Sequence, residues 1–127
     1  MAKLRGAGNA AGALTPLTYE ILVALADAPR HGYGIIREIE ERSGTGPSTG
    51  ALYLALQRLE AEGLIGEAAR RPKANEDARR RYYRLTAAGR RAAEAETRRL
   101  EALVRVAREK RLSPGAGRAL GGEAARG

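Results

Sequence analysis

The chain has 127 residues, 43% of them hydrophobic but only 4% aromatic, and it carries a formal net charge of +8. The absence of cysteine excludes disulfides, thiolate metal sites and cysteine nucleophiles. No run approaches the roughly 18 apolar residues that a membrane span needs, and residues 1–13 lack the apolar segment of a secretory signal. We therefore expect one cytoplasmic domain with a core of Leu, Ile, Val and Ala, which favours small helices.

The positive charge is concentrated in one part of the chain. Residues 66–91 contain nine Lys and Arg against three Asp and Glu, whereas residues 12–65 contain four against seven. A local excess of this kind favours a polyanionic partner. The alternative, a solvated charge run without a partner, stays open at this point.

Three short helices are predicted in the first half of the chain, after a flexible arm over residues 1–13 that shows no hydrophobic period. Thr15 and Pro16 begin the first helix, and Pro29 ends it. Its apolar stripe is expected to contain Leu17, Ile21, Leu22 and Leu25.

The second and third predicted helices follow closely. His31 starts the second helix, where it is expected to cap or to pack, and Gly44 closes it. We expect the inward-facing residues of this helix to be Tyr33, Ile36 and Ile39. Ser48 is a good N-cap for the third helix, and Gly63 is its C-terminal stop.

Two strands are predicted after the third helix. Leu64 and Ile65 begin the first, and residues 81–85 form its partner beyond a polar, basic loop that is too long for a tight turn. Tyr82 and Tyr83 must face opposite sides of the second strand. The sequence leaves open which of the two lies in the core.

A final helix is capped by Thr86 and is predicted over residues 87–112, before a flexible tail over residues 113–127. The order of these elements is that of a helix-turn-helix with a β-wing. We therefore predict a mainly α protein. It has a winged helix-turn-helix domain over residues 14–86, with three helices and a two-stranded β-wing, and then a long C-terminal dimerisation helix.

The third helix has two distinct faces. At about 100° per residue, Leu52, Leu56 and Leu59 share the face that is expected to pack in the core. The opposite face carries groups that can read DNA: glutamine pairs with adenine edges, arginine with guanine or phosphate, and leucine with the thymine methyl. An exposed Tyr-Leu pair could equally pack against a partner helix. We predict DNA contacts at Ser48, Thr49, Gly50, Tyr53, Leu54, Gln57 and Arg58.

The basic loop supplies what such a helix needs beside it. A wing rich in arginine lies along the phosphates or enters the minor groove, where it adds affinity with little sequence information. We predict wing contacts with DNA at Arg79, Arg80 and Arg81. The alternative that the wing binds another protein stays open.

The last helix carries an apolar stripe, which Glu96 interrupts. A helix of this length has too little of its own chain around it to cover the whole stripe, so we predict a homodimer formed through this helix. Part of the helix is also expected to fold back along the first helix. The predicted dimerisation residues are Ala93, Leu100, Leu103, Val104 and Ala107.

Three segments in this order resemble one known family over about residues 14–112: LTPLTYEILVALADAPRHGYGIIREIEERSG, PSTGALYLALQRLEAEGLI and RRRYYRLTAAGRRA. They are similar to the PadR family of bacterial transcriptional regulators. The resemblance implies a winged helix-turn-helix dimer that represses promoters and is often released by a small molecule. It also implies DNA contacts at Ser48, Thr49, Gly50, Tyr53, Arg58 and the arginines of residues 79–81.

Two departures from the family pattern bear on function. Leu54 stands where many members have proline, which changes the groove contact expected there. The short Gly/Ala/Arg tail resembles the members with a short C-terminal helix, and the chain lacks the tryptophans between which multidrug-sensing relatives stack flat ligands. The resemblance thus implies a small-molecule effector without indicating its chemical class.

Two other functions explain the same sequence less well. Catalysis lacks support because the only histidine, His31, starts a helix, and no metal-binding cluster or phosphate-binding loop accompanies the carboxylates. We expect no enzyme activity, no metal and no cofactor. A sequence-independent architectural or RNA-binding protein would spread charge over its binding face, whereas the third helix carries mixed hydrogen-bonding residues. A regulator that binds specific double-stranded DNA is therefore the preferred hypothesis.

Overall fold

The computed structural model describes residues 14–68 and 81–114. The predicted N-terminal arm, the wing loop over residues 69–80 and the tail from residue 115 lie outside the described residues. Within the two described ranges, four helices and three strands follow one another in the order α1 Pro16–Ala24, β1 Arg30–His31, α2 Gly32–Ser43, α3 Thr49–Ala61, β2 Ile65–Glu67, β3 Tyr82–Leu85 and α4 Ala87–Glu109.

The sheet has three antiparallel strands in the order β1-β3-β2. Ile65 pairs with Leu85 across β2 and β3, and Arg30 pairs with Tyr83 across β1 and β3. The two predicted wing strands are confirmed as β2 and β3, and β1 is a third strand that the sequence analysis did not predict. A strand of two residues is too short to show an alternating pattern.

Side-chain caps fix where the helices begin. The Oγ1 of Thr15 and the Oγ of Ser48 each accept a hydrogen bond from a backbone N–H three residues later, both at 3.1 Å. His31 Nδ1 accepts from the N–H of Gly34 at 3.0 Å, and Thr86 Oγ1 accepts from that of Gly89 at 2.9 Å. These four caps confirm the predicted helix starts, and each contributes roughly 1 kcal/mol.

The core lies between the three short helices and the sheet. The predicted faces of α1 and α3 are confirmed, because Leu52, Leu56 and Leu59 are buried together with Ile21 and Leu22. In the sheet it is Tyr83 that enters the core. The other fully or nearly buried apolar residues of this cluster are Ala24, Leu25, Ile35, Ile39, Leu64 and Ile65.

One inward-facing assignment was wrong. Tyr33 is 57% exposed, and Ile35 is the buried residue of this part of the helix instead. Tyr33 belongs to the first turn of α2, where its ring stacks near that of His31 and lies 5.7 Å from the Arg37 guanidinium carbon. The attraction between the Arg37 guanidinium and the exposed Tyr33 ring is stabilising. It compensates for the core contact that the ring does not make.

The start of α4 is fastened closely to the turn after α3. Thr86 Oγ1 donates to the carbonyl of Gly63 at 2.7 Å, and the Thr86 N–H donates to that of Leu64 at 3.2 Å. Gly89 has no side chain to hold this backbone away: a Cβ there would overlap the Leu64 carbonyl oxygen and lie 2.8 Å from Leu85 Cδ1. The helix can approach the strand ends only because residue 89 is glycine.

The chain divides into two compact units, up to Glu96 and from Thr97 onward. In the first unit, Ala93 is half-buried and packs against the core. In the second unit, the exposed large apolar side chains are Leu103, Val104, Val106 and Leu112. None of the helices in the described ranges is long and apolar enough to cross a membrane.

Candidate nucleic-acid interface

The outer face of α3 is open, as the sequence predicted. Leu54 is 69% exposed and Tyr53 is 43% exposed, so two large side chains stand out from a helix whose other side is core. Gly50, Gln57 and Arg58 are exposed on the same face. The structure therefore brings these predicted DNA-contacting residues together on one exposed face of α3.

The long polar side chains of this face are not used by the fold. Within residues 14–68 and 81–114, Gln57 and Arg58 make no side-chain hydrogen bond or ion pair. Arg42 on α2 is different, because it pairs with Glu38 at 2.7 Å. An arginine presents five N–H donors in a fixed fork, so an unpaired Arg58 can give its donors to a base edge or a phosphate.

The start of α3 is suited to an anion. The Oγ of Ser48 takes the N–H of Ala51, and the N–H groups of Thr49 and Gly50 have no partner among the described residues. No heavy atom lies within 4 Å of the position that a Cβ on Gly50 would occupy. The fold does not require glycine at this position, and its absence of a side chain leaves the backbone N–H groups accessible to a phosphate.

Tyr53 is held in place by α2. Its hydroxyl and ring carbon Cζ lie against the backbone of Gly32, where a Cβ would overlap the hydroxyl. The phenol is therefore fixed at the start of α2 while nearly half of the residue faces solvent. Sequence reasoning placed Tyr53 on the outer face but gave no sign of this contact with another helix.

Replacing Gly32 with Ala should displace the Tyr53 side chain. Because the phenol is the free end of a partly exposed side chain, it can swing away, and we expect a loss of unfolding free energy below about 1 kcal/mol. In a Tyr53→Ala background the same substitution should cost nothing, since the overlap no longer exists. Urea unfolding of the four proteins measures this difference, and equal costs in both backgrounds would show that Gly32 does not support Tyr53.

The base of the wing is an ion-pair cluster. Arg81 Nη2 lies 3.0 Å from Glu60 Oε2 and 3.4 Å from Glu67 Oε1, and its guanidinium carbon lies 5.4 Å from the centre of the Tyr83 ring. The pKa of the Arg81 guanidinium is raised, first by the Tyr83 phenol and then by the two carboxylates, against the opposing effect of burial. Burial raises the pKa of the Tyr83 phenol, an effect that Arg81 partly offsets. Arg81 therefore stays charged and Tyr83 neutral at physiological pH.

The other two predicted wing residues, Arg79 and Arg80, lie outside the described residues. Arg84 on β3 is exposed, and its guanidinium lies beside Gly66, 3.1 Å from the position of a Cβ on that glycine. Within the described ranges Arg84 has no carboxylate partner. Arg81 and Arg84 thus differ in their surroundings although they belong to the same short stretch of chain.

Comparison with known proteins settles the family. The model of the transcriptional regulator PadR-like family matches residues 21–95. The transcriptional regulator Rv3488 of Mycobacterium tuberculosis is 41% identical over 85 residues, which cover 67% of this chain and 76% of that protein. This chain belongs to the PadR-like family. Members of this family are transcriptional regulators and not enzymes.

A second sequence relative and three solved structures extend the comparison of this PadR-like chain. An uncharacterized 37.1 kDa protein in transposon Tn4556 of Streptomyces fradiae is 47% identical over 76 residues, but the chain spans only 20% of its length. A PadR family transcription regulator from Clostridium difficile has a TM-score of 0.65 at 27% identity, over 75% of this chain and 97% of that one. hsRosR-SG, solved as a complex, has a TM-score of 0.60 at 30% identity, over 72% and 77%.

Bacillus subtilis PadR, solved in complex with operator DNA, has a TM-score of 0.56 at 24% identity, over 65% of this chain and 48% of that one. At this identity the similarity shows a common fold. Together with the other structures, it confirms the predicted winged helix-turn-helix fold of this PadR-like chain.

The described ranges hold no group of three or more His, Asp or Glu residues that could bind a metal ion. The single histidine, His31, serves as the N-cap of α2, and its ring lies edge-on to Tyr82 at 5.1 Å. In this PadR-like chain the histidine therefore has a structural role at the junction of β1, α2 and β3.

The apolar stripe of α4 divides between the two units. Ala93 packs on the core of its own chain, whereas Leu103 and Val104 are 56% and 46% exposed. Leu100 and Ala107 are half-buried. The exposed part of the stripe therefore begins beyond Ala93, and Val106 and Leu112 are exposed apolar residues that the sequence prediction did not include.

Proposed function

We propose that this PadR-like protein is a homodimeric regulator that binds a two-fold operator, with α3 of each protomer in successive major grooves. The outer face of α3 carries this proposal, because Gln57 and Arg58 are exposed and their side chains have no partner among the described residues. The solved complex of Bacillus subtilis PadR with operator DNA supports it, since the two chains share a fold.

The proposed DNA contacts follow from their positions. Ser48, Thr49 and Gly50 contact a phosphate at the start of α3. The Tyr53 hydroxyl contacts a phosphate, Leu54 and Gln57 contact bases, and Arg58 contacts a guanine or a phosphate. The wing arginines Arg79 and Arg80 contact the neighbouring backbone.

Selection from a pool of random DNA duplexes tests this function without knowledge of the genome. The purified protein is bound to the pool at near-physiological salt, and the retained DNA is amplified and sequenced over several rounds. We expect a motif with two inverted half-sites about one helical turn apart. Retained DNA without a common motif would contradict sequence-specific recognition and favour an architectural protein.

Neutralising the wing should act on all DNA alike. Arg79→Gln and Arg80→Gln each remove a proposed phosphate contact from both protomers, so each should reduce the slope of log affinity against log salt by about 1.8, at about 0.9 per contact. Fluorescence anisotropy at several salt concentrations measures the slope for operator and scrambled duplexes. A loss confined to the operator would show that these residues read bases instead of binding phosphates.

Self-association should depend on one side of α4. Val104→Ala removes apolar surface from the exposed stripe of both protomers and should weaken the dimer by about 1–2 kcal/mol. Val106→Ala is the matched control, because Val106 is exposed to a similar extent but lies about 160° around the helix from Val104 and about 115° from the centre of the predicted stripe. Sedimentation equilibrium measures both. Equal effects, or a wild-type monomer, would contradict dimerisation through this stripe.

We further propose that the protein acts in the cytoplasm. On the family resemblance, we also propose that it represses transcription and is released from DNA by a small-molecule effector. A reporter gene behind the selected operator should be less active when the protein is present. Higher reporter activity with the protein would identify an activator.

A further inference from the structure

Three charged residues, Arg81, Glu60 and Glu67, join α3 to the base of the wing, where strands β2 and β3 meet; we call them the Arg81 clamp. We propose that Arg81 is a positioning residue that holds the base of the wing at α3, and that it makes no phosphate contact. This inference rests on the proposed function, because it concerns how the DNA-binding surface is assembled.

The clamp joins parts of the chain that are distant in sequence. Arg81 is separated by 21 residues from Glu60, near the end of α3, and by 14 residues from Glu67, at the end of β2. One guanidinium group thus connects the recognition helix with both strands that lead into the wing. Beneath it, the buried Tyr83 ring contributes a cation–π contact at 5.4 Å.

The charges of the clamp argue against a phosphate contact. One guanidinium and two carboxylates give the cluster a net charge of −1, so a DNA phosphate that approached Arg81 would meet two anions. The Nη2 donor that binds these carboxylates is already engaged. Arg58 and Arg84, by contrast, have no carboxylate partner within the described residues.

Loss of the Arg81 clamp should change the orientation of the wing more than the stability of the fold, because the ion pairs are weak. All three side chains are partly exposed, and ion pairs of this kind contribute little to the free energy of unfolding. A small bias in the orientation of the wing nevertheless matters for an operator, since the helix and the wing must reach their sites on DNA together. We therefore expect loss of the clamp to reduce operator preference more than it reduces stability.

The test uses three variants: Arg81→Gln, the double variant Glu60→Gln/Glu67→Gln, and the triple variant. Their affinities for operator and scrambled duplexes are measured by anisotropy. We expect the operator preference of the double variant to fall by about three- to tenfold, the range for one or two exposed ion pairs. This fall is expected even though the double variant removes two negative charges near DNA. Arg81→Gln should have a similar effect alone and none in the double background, since both changes break the same clamp.

A phosphate contact predicts the opposite sign. The double variant would then bind operator and scrambled DNA more tightly. Arg81→Gln would weaken both equally and lower the salt slope by about 1.8, at about 0.9 for each protomer. That result would overturn the inference. Arg84→Gln is the matched control: it removes the same charge from a residue three positions further along the chain, in β3, and its effect should be the same in the wild-type and double-variant backgrounds.

Thermal unfolding by circular dichroism separates positioning from a general loss of structure. We expect each variant to have a melting temperature close to that of the wild type and a lower operator preference. A melting temperature so low that unfolding during the binding assay accounts for the whole loss of operator preference would overturn the positioning role. A wild-type chain that binds both duplexes equally would refute the proposed function, and this inference with it.

Discussion

Replacing Gly89 with Ala should destabilise the protein by about 3 kcal/mol or more, at the upper end of the cost of overpacking a rigid site. The added Cβ would overlap the Leu64 carbonyl oxygen, which belongs to the backbone and cannot rotate away. The overlap can be removed only if α4 moves away from the strand ends. That movement would strain the hydrogen bonds of Thr86 to Gly63 and Leu64.

Chemical unfolding followed by circular dichroism measures this loss. Gly50→Ala is the matched control, because it is the same substitution in a helix but into open space. It should leave stability unchanged or raise it by about 0.5–1 kcal/mol, the helix preference of alanine over glycine. Similar midpoints for the two variants would contradict the close approach of α4 to the turn after α3.

Replacing Arg58 with Ala should weaken operator binding by about 1–3 kcal/mol, the value of one direct contact to a base or phosphate. Stability should change little, because Arg58 is exposed and makes no ion pair within the described residues. A base contact predicts that scrambled DNA loses less affinity than the operator, whereas a phosphate contact predicts similar losses for both.

Arg91→Ala provides the control for Arg58, because it also removes an exposed charge, from a different helix, α4. It should leave operator preference unchanged. If Arg58→Ala and Arg91→Ala had the same effect on operator binding, Arg58 would act only through the net charge of the protein. It would then not be one of the residues of α3 that contact the operator.

Local features of this fold could be predicted from the sequence. A capping side chain acts within three residues of its partner, so Thr15, Ser48 and Thr86 identify their helices without tertiary information. The two faces of α3 also follow from helical periodicity, because one side is all leucine and the other mixed.

Features that depend on distant residues could not be predicted. Strand β1 exists because Arg30 and His31 pair with β3, about fifty residues later in the chain, and two residues carry no pattern of their own. The partners of Arg81 likewise come from two other elements, so a run of arginines in the sequence gives no sign that one of them is already paired. Tyr33 was misplaced because an aromatic residue in a helix favours the core on average, while here a neighbouring cation and His31 hold it at the surface.

In the candidate site, too, the features set by local sequence could be predicted and those set by packing between helices could not. Periodicity predicts which residues of α3 point outward, but not that Tyr53 lies on Gly32 or that Gly50 is unconstrained by the fold. Those two glycines have opposite surroundings, and only the packing of α2 beside α3 distinguishes them.

The central claim is that the outer face of α3 reads DNA sequence, and one titration tests it most directly. Fluorescence anisotropy compares the dissociation constants of the wild-type protein for the duplex obtained by selection and for a scrambled duplex of equal length, at near-physiological salt. We expect a preference of about a thousandfold, within the range of specific regulators. Equal, salt-sensitive binding to both duplexes would contradict the claim, because it would leave only the basic charge of the protein to account for its affinity.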